Sequence, residues 1–304
     1  MPHFFRLRAP RRSHDLFLSA FLALTSVVAG CGSHNASSVA DDDAQSADGA
    51  LTKIAAMPPP TPPPRPTPTP NVQAVPNWAR GKVVNSVPVK NSDKVVALTF
   101  DDGPWPESTR QILRVLADNH IKATFYMVGQ EVMRRPAIAR EVRDAGHAIG
   151  NHSWDHPSRP RDPQRQVKRT DAELKKILGF TPTTFRPPYG ILKNGMARQA
   201  MNDGQPVMLW SADSTDWSRP GVSRIVSRVL NGLGPGGISL MHDGGGAREQ
   251  SVAALPIIIS SLRERGYRFV TVPELLRLRA IAPPTKVKSK SPPSSAKKRP
   301  KHAA

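Results

Sequence analysis

From Val83 onward, short runs rich in β-branched and aromatic residues alternate with stretches of helical periodicity, and few folds accommodate such a pattern. Strands separated by helices return in the same direction, so the pattern predicts βα units and a parallel sheet flanked by those helices. The strand candidates are Val95–Phe100, Ala123–Val128, Ala148–His152, Thr183–Arg186, Pro206–Ser211, Gly237–Met241 and Tyr267–Val272, which makes seven rounds. Between them lie Ser108–Asn119, Ile138–Ala145, Asp171–Leu178, Val222–Leu230 and Gln250–Arg265. In the first of these Ile112, Leu113 and Leu116 line one face, the spacing that buries one side of a helix. Gly146, Gly179 and Gly266 stand where a left-handed residue ends a helix, and Pro256 predicts a kink or a break. Seven units are one short of the eight-unit barrel, so the pattern admits either a barrel or a doubly wound open sheet. Either one places an active site at the C-terminal ends of the strands.

The two ends of the chain are of another character. Residues 1–31 read as an export signal, with Arg6, Arg8, Arg11 and Arg12 before an apolar run from Leu16 to Val28. The run closes on Val28-Ala29-Gly30-Cys31, which resembles the lipobox of bacterial lipoproteins and makes Cys31 the expected lipidation site. Cys31 is the only cysteine, which excludes an intrachain disulfide. Residues 32–80 read as a linker, first Ser- and Asp-rich and then extended, with ten prolines in residues 57–76. Residues 81–280 are the expected catalytic domain, and residues 281–304 a basic disordered tail carrying Lys286, Lys288, Lys290, Lys297, Lys298, Arg299 and Lys301 without an acid.

The formal net charge is +19, and residues 81–280 alone hold 29 Lys and Arg against 19 Asp and Glu. Such an excess often means nucleic acid, but an exported chain meets little of it. Anionic envelope polymers are the expected partners of the tail, and the membrane is the expected partner of Cys31.

Five short motifs carry the chemistry. They are TFDDGP at Thr99–Pro104, HSWDH at His152–His156, RPPYG at Arg186–Gly190, DSTDW at Asp213–Trp217 and LMHD at Leu240–Asp243. Each falls at the end of a predicted strand, and together they supply the inventory of a metal-assisted hydrolase. Strand alternation is expected to send the side chains of Asp101 and Asp102 in different directions, one to bind metal and the other to handle protons. His152 and His156, four apart, can meet one cation if the backbone turns helically, and two imidazoles with one carboxylate leave a position open for water. Asp213 or Asp216 can hold the His242 imidazole protonated. Arg186, restricted by the proline that follows, suits a bidentate pair with a carboxylate. The glycines Gly244-Gly245-Gly246 form a loop able to approach a ligand closely.

These residues resemble the polysaccharide deacetylase domain, carbohydrate esterase family 4, over roughly Val83–Leu276, and all five of that family's motifs are matched. The resemblance implies a distorted (β/α)7 barrel with parallel strands. It implies Asp101 as general base, Asp102, His152 and His156 as metal ligands, and Arg186 as the residue orienting Asp101. It further implies the Tyr189 N–H as an oxyanion donor, Asp216 as the residue tuning the general acid His242, and Trp217 with Leu240 as walls of the acetyl pocket. The cofactor implied is a divalent metal, zinc first, with cobalt and nickel as alternatives. The activity implied is removal of N-acetyl groups from N-acetylglucosamine in peptidoglycan, a chitooligosaccharide or an exopolysaccharide. An O-deacetylase of acetylated xylan and a catalytically silent glycan-binding lipoprotein are the alternatives. The protein is expected to act as a monomer facing the periplasm or cell exterior.

Overall fold

The computed structural model describes residues 73–90 and 92–280. The export signal, Cys31, most of the linker and the basic tail lie outside the described residues, and among the described residues no helix is long and apolar enough to cross a membrane.

The elements follow in the order β1 (Val83–Val84), β2 (Val95–Ala97), β3 (Thr99–Asp101), α1 (Ser108–Asp118), β4 (Thr124–Met127), α2 (Gly129–Arg134), α3 (Pro136–Asp144), β5 (Ala148–Asn151), α4 (Pro163–Leu178), α5 (Met196–Asn202), β6 (Val207–Met208), β7 (Ala212–Asp213), α6 (Val222–Gly232), β8 (Gly237–His242), α7 (Glu249–Glu264), β9 (Arg268–Phe269) and α8 (Val272–Arg277). All strand pairs are parallel. The pairing runs most of the way round a ring: β3 joins β4, β4 joins β5, and single bridges carry Asn151 to Phe185 and Phe185 to Val207. The chain then passes from β6 to β7, β7 pairs with β8, and β8 returns to β3. The result is a distorted parallel barrel, interrupted between β6 and β7, where the chain itself and no ladder makes the connection.

Parity along the strands explains what fills it. Val96, Leu98, Phe100, Phe125, Met127 and Ile149 point outward and pack with Ile112, Leu116, Leu174, Ile225 and Ile258 of the surrounding helices. The intervening positions Val95, Ala97, Tyr126 and Ile238 point inward and join Val84, Leu275 and Leu276 in a second apolar cluster, the floor of the barrel. Buried at about 25 cal/mol per Å² of apolar surface, these two layers are the main source of stability. Toward the C-terminal ends of the strands the inward positions become polar, and Thr99, Asp101, His152, Arg186 and His242 occupy them.

Several sequence expectations need correction. Thr183–Arg186 forms only single bridges at Phe185, and Pro206–Ser211 gives way to the short β6 and β7. Strand β9 ends at Phe269, because Thr271 and Glu274 form a reciprocal capping box that starts α8 instead. Helix α4 begins at Pro163, well before Asp171, with the Asp162 carboxylate accepting from the Arg165 N–H at 2.9 Å. Helix α7 runs through Pro256 without a break. Pro256 is exposed there, so the carbonyl it leaves unbonded can be solvated while Leu255, Ile258, Ile259 and Leu262 hold the buried face. Gly146, Gly179 and Gly266 do follow their helices with φ of 79°, 85° and 80°.

Candidate active site and metal centre

Asp101 is the last residue of β3, in register with Tyr126 on one side and His242 on the other. Asp102 leaves the strand with φ 75°, so the extended alternation stops there and the two carboxylates converge. Asp101 Oδ2 lies 3.6 Å and Asp102 Oδ1 3.5 Å from the same His152 Nε2, against the expectation that they diverge. Asp102 Oδ1 is also 3.3 Å from His156 Nε2. The HSWDH segment is not helical; Ser153 and His156 adopt φ of 68° and 58°, and this irregular turn brings the imidazoles to a ring separation of 4.9 Å. Asn151 anchors it, its amide donating to Val167 O and Asp171 while its Oδ1 accepts the Ser153 N–H at 2.8 Å.

The donor set fits a divalent cation. One ligand atom each from Asp102, His152 and His156 lies within 4.8 Å of the others. His152 Nδ1 is 2.7 Å from the carbonyl oxygen of Arg186, which takes the Nδ1 proton and aims Nε2 at the two carboxylates. Burial works against a charged imidazole there, but Asp101 and Asp102 outweigh it and raise the His152 pKa, so the carboxylates call for a positive charge at Nε2 that a proton or a cation can supply. Asp102 Oδ1 is buried and accepts no hydrogen bond, as an oxygen reserved for a cation would be. Burial and the neighbouring His152 hold the His156 pKa down at about 4, leaving it neutral and able to ligate.

Arg186 is fully buried. Its Nη1 donates to Asp101 Oδ1 at 2.8 Å and to Thr99 Oγ1 at 2.6 Å, Nε and Nη2 donate to the carbonyls of Met208 and Leu209, and the guanidinium lies 4.1 Å over the Tyr126 ring. The pair is therefore monodentate rather than bidentate, because the strand carbonyls take the other donors and Asp101 turns Oδ2 toward His152.

Across the site His242 Nδ1 is 2.6 Å from Asp216 Oδ1, and Asp216 Oδ2 accepts from the His242 N–H and from Ser251 Oγ. Burial works against the charged imidazole, but the Asp216 hydrogen bond and charge outweigh it and raise the His242 pKa to about 9. Asp213 instead accepts the Thr215 N–H at 2.8 Å. The glycine loop approaches protein rather than open space: a Cβ on Gly244 would fall 2.3 Å from Asp102 O, and one on Gly245 2.8 Å from Asp102 Oδ2.

These groups line one groove of about 840 Å³, walled also by Tyr189, Trp210, Trp217 and Leu240. Tyr189 and Trp217 are 64% and 59% exposed, unusual for aromatic residues and suited to stacking on a sugar face. The Tyr189 ring packs edge-on against His156 at 4.5 Å, and its backbone turns at φ 58°. Ser251 and Arg248 carry no motif that marks them in the sequence, and Thr99 opens TFDDGP but was given no role there. Arg248 lines the groove at 6% exposure and forms no ion pair among the described residues.

Residues 89–207 match the family model described as polysaccharide deacetylase. A peptidoglycan-N-acetylglucosamine deacetylase of Bacillus cereus is 41% identical over 194 residues, 62% of this chain and 91% of the relative. The chain belongs to the polysaccharide deacetylase family. It is accordingly a hydrolase of carbohydrate esterase family 4 that deacetylates a glycan. A chitooligosaccharide deacetylase of Sinorhizobium fredii is 36% identical over 194 residues, 59% of this chain and 90% of that one. Among solved structures, the Bc1960 peptidoglycan N-acetylglucosamine deacetylase superimposes with a TM-score of 0.61 at 34% identity, over 65% of this chain and 94% of that one. The polysaccharide deacetylase fold thus spans the described barrel, while the terminal segments fall largely outside the match.

Proposed function

We propose that the protein is an exported, metal-dependent N-deacetylase acting on N-acetylglucosamine units of an envelope glycan, with peptidoglycan as the leading substrate. The observation that carries this reading is the convergence of Asp102, His152 and His156 beside two further ionic pairs, Asp101–Arg186 and Asp216–His242, in one groove. Asp102, His152 and His156 would hold the metal, which fits zinc best and admits cobalt or nickel. A metal so held supplies Lewis acidity toward a carbonyl oxygen and lowers the pKa of a water.

The remaining chemistry is assigned to the chain's own groups. Asp101 Oδ2, with Oδ1 engaged by Arg186, is free to accept the proton of the attacking water. The Tyr189 N–H, held by a left-handed turn, would donate to the developing oxyanion. His242, protonated and steadied by Asp216, would donate a proton to the departing amine, which cannot leave as an anion. Trp217 and Leu240 would enclose the acetyl group, and the exposed Tyr189 ring would support the sugar. Lipidation at Cys31 and the proline-rich linker would tether this domain to a membrane within reach of the polymer.

The test is acetate release from peptidoglycan, chitopentaose and acetylxylan by metal-stripped and zinc-reconstituted protein, beside an Asp101→Asn control. Zinc-dependent release from an N-acetylated glycan, lost in the control, is the expected result. Release from acetylxylan alone would replace this reading with O-deacetylation, and metal binding without release from any of the three would overturn it.

A further inference from the structure

The groove does not end at the metal site. At Gln130 and Asp155 it shares walls with a second cleft of about 430 Å³, lined by Arg159, Arg161, Arg165 and Arg169. All four arginines are exposed, and none forms an ion pair among the described residues. The two carboxylates in the cleft are already engaged: Asp155 Oδ1 accepts from Gln166 Nε2 at 2.7 Å, and Asp162 caps α4. Four guanidinium groups against two carboxylates leave the cleft with a net positive charge, and none of the four is held by an ion pair.

The cleft is also stiffer than a surface loop of this length need be. Pro157, Pro160 and Pro163 fix φ at every third residue of the segment leading into α4. Arg165 and Arg169 lie one turn apart on the same face of α4, and the Arg169 guanidinium sits 3.6 Å over the buried Trp154 ring. Trp154 belongs to the same turn that carries His152 and His156, so the cationic cleft and the metal ligands are parts of one short stretch of chain. Side chains held in place lose less entropy when a ligand arrives.

We propose that this cleft is a subsite for a carboxylate borne by the sugar adjoining the one that is deacetylated. The inference rests on the deacetylase reading and narrows its substrate to an acidic glycan in which N-acetylglucosamine alternates with a carboxylated sugar. Arginine is suited to the task because its planar donors match a carboxylate two at a time. A neutral chitooligosaccharide offers that positive excess nothing to neutralise.

The experiment compares an N-acetylglucosamine–N-acetylmuramic acid tetrasaccharide with free lactyl carboxylates against the same compound as its methylamides. Acetate release is measured at low salt and at about 0.5 M salt, where charges more than a few ångströms apart are screened. The wild-type protein is expected to favour the free acid in kcat/KM on the order of tenfold, with the preference fading in salt. An Arg161→Gln/Arg165→Gln variant is expected to lose that preference through KM, with kcat on the free acid retained. Its exposed positions leave folding intact, which a melting curve checks. Equal treatment of the two compounds by the wild type, or a preference surviving in the variant, would overturn the proposal. Calorimetric binding of both compounds to zinc-loaded wild type and variant reads the same preference without turnover. Absent acetate release with the binding preference intact would sink only the deacetylase reading, and an absent binding preference would sink the subsite.

Discussion

Arg186 shows what a single buried charge requires in this barrel. Each of its three nitrogens meets an acceptor, and Asp101 balances its charge. Arg186→Met removes that balance and leaves the buried Asp101 carboxylate without its strongest partner, so unfolding in denaturant should show a loss of about 3–5 kcal/mol. The Asp101→Asn/Arg186→Met pair should lose less than the single change, since no lone charge remains. Asp216 acts on His242 in a comparable way. With the His242 pKa raised to about 9, the imidazolium persists at neutral pH and is lost as pH rises through that value, so activity should decline on the alkaline side. A bound cation pulls this limb lower by repelling the imidazolium. Asp216→Asn removes the charge that outweighs burial, and a pH–rate profile should show the limb falling by about one to three units. The identities of Asp101, Arg186 and His242 were legible in the sequence because their motifs sit at predicted strand ends. The monodentate Arg186 pair was not, because it depends on carbonyls of Met208 and Leu209 that only the barrel brings near.

At the scale of elements, two loops decide the metal geometry. The MHDGGG turn after β8 packs against the TFDDGP turn after β3, and Gly244 is required because its Cα lies against the Asp102 carbonyl. Gly244→Ala must displace one backbone from the other and with it the Asp102 carboxylate. Zinc content measured after dialysis should fall, and turnover should drop by roughly 100-fold, the scale of an ångström-sized misplacement. A variant retaining full zinc and full rate would show that the contact yields without moving the ligand. The helical turn named as the condition for His152 and His156 to meet is not the turn that forms. Spacing of four is also met by a turn with two left-handed residues, and which one forms depends on Asn151 and Gln166, which lock that turn to α4. The starts of α4 and α8 were missed in the sequence reading, although Asp162-Pro163 and Thr271 with Glu274 carry capping signals there, because periodicity was weighed ahead of the caps.

For the whole molecule, metal and fold are coupled, since the three proposed ligands come from the ends of β3 and β5 and the unfolded chain has no such site. Zinc at about 100 times its dissociation constant should add about 2.7 kcal/mol of stability, which for a domain near 200 residues raises Tm by roughly 5–10 °C. A chelator should reverse the shift, and an Asp102→Asn/His156→Ala protein should show little of it. The basic tail belongs to this scale too: removing residues 286–304 should weaken salt-sensitive retention on cell envelopes while leaving the turnover of soluble oligosaccharides unchanged. By itself the sequence determined the parallel βα order and the residue types at five strand ends, because both are encoded in short-range pattern and propensity. Only the tertiary structure decided that the ring runs through Phe185, that two adjacent aspartates face one imidazole, and that an arginine cleft opens off the groove. Those outcomes depend on backbone turns and on contacts between residues far apart in the chain, which local pattern does not encode.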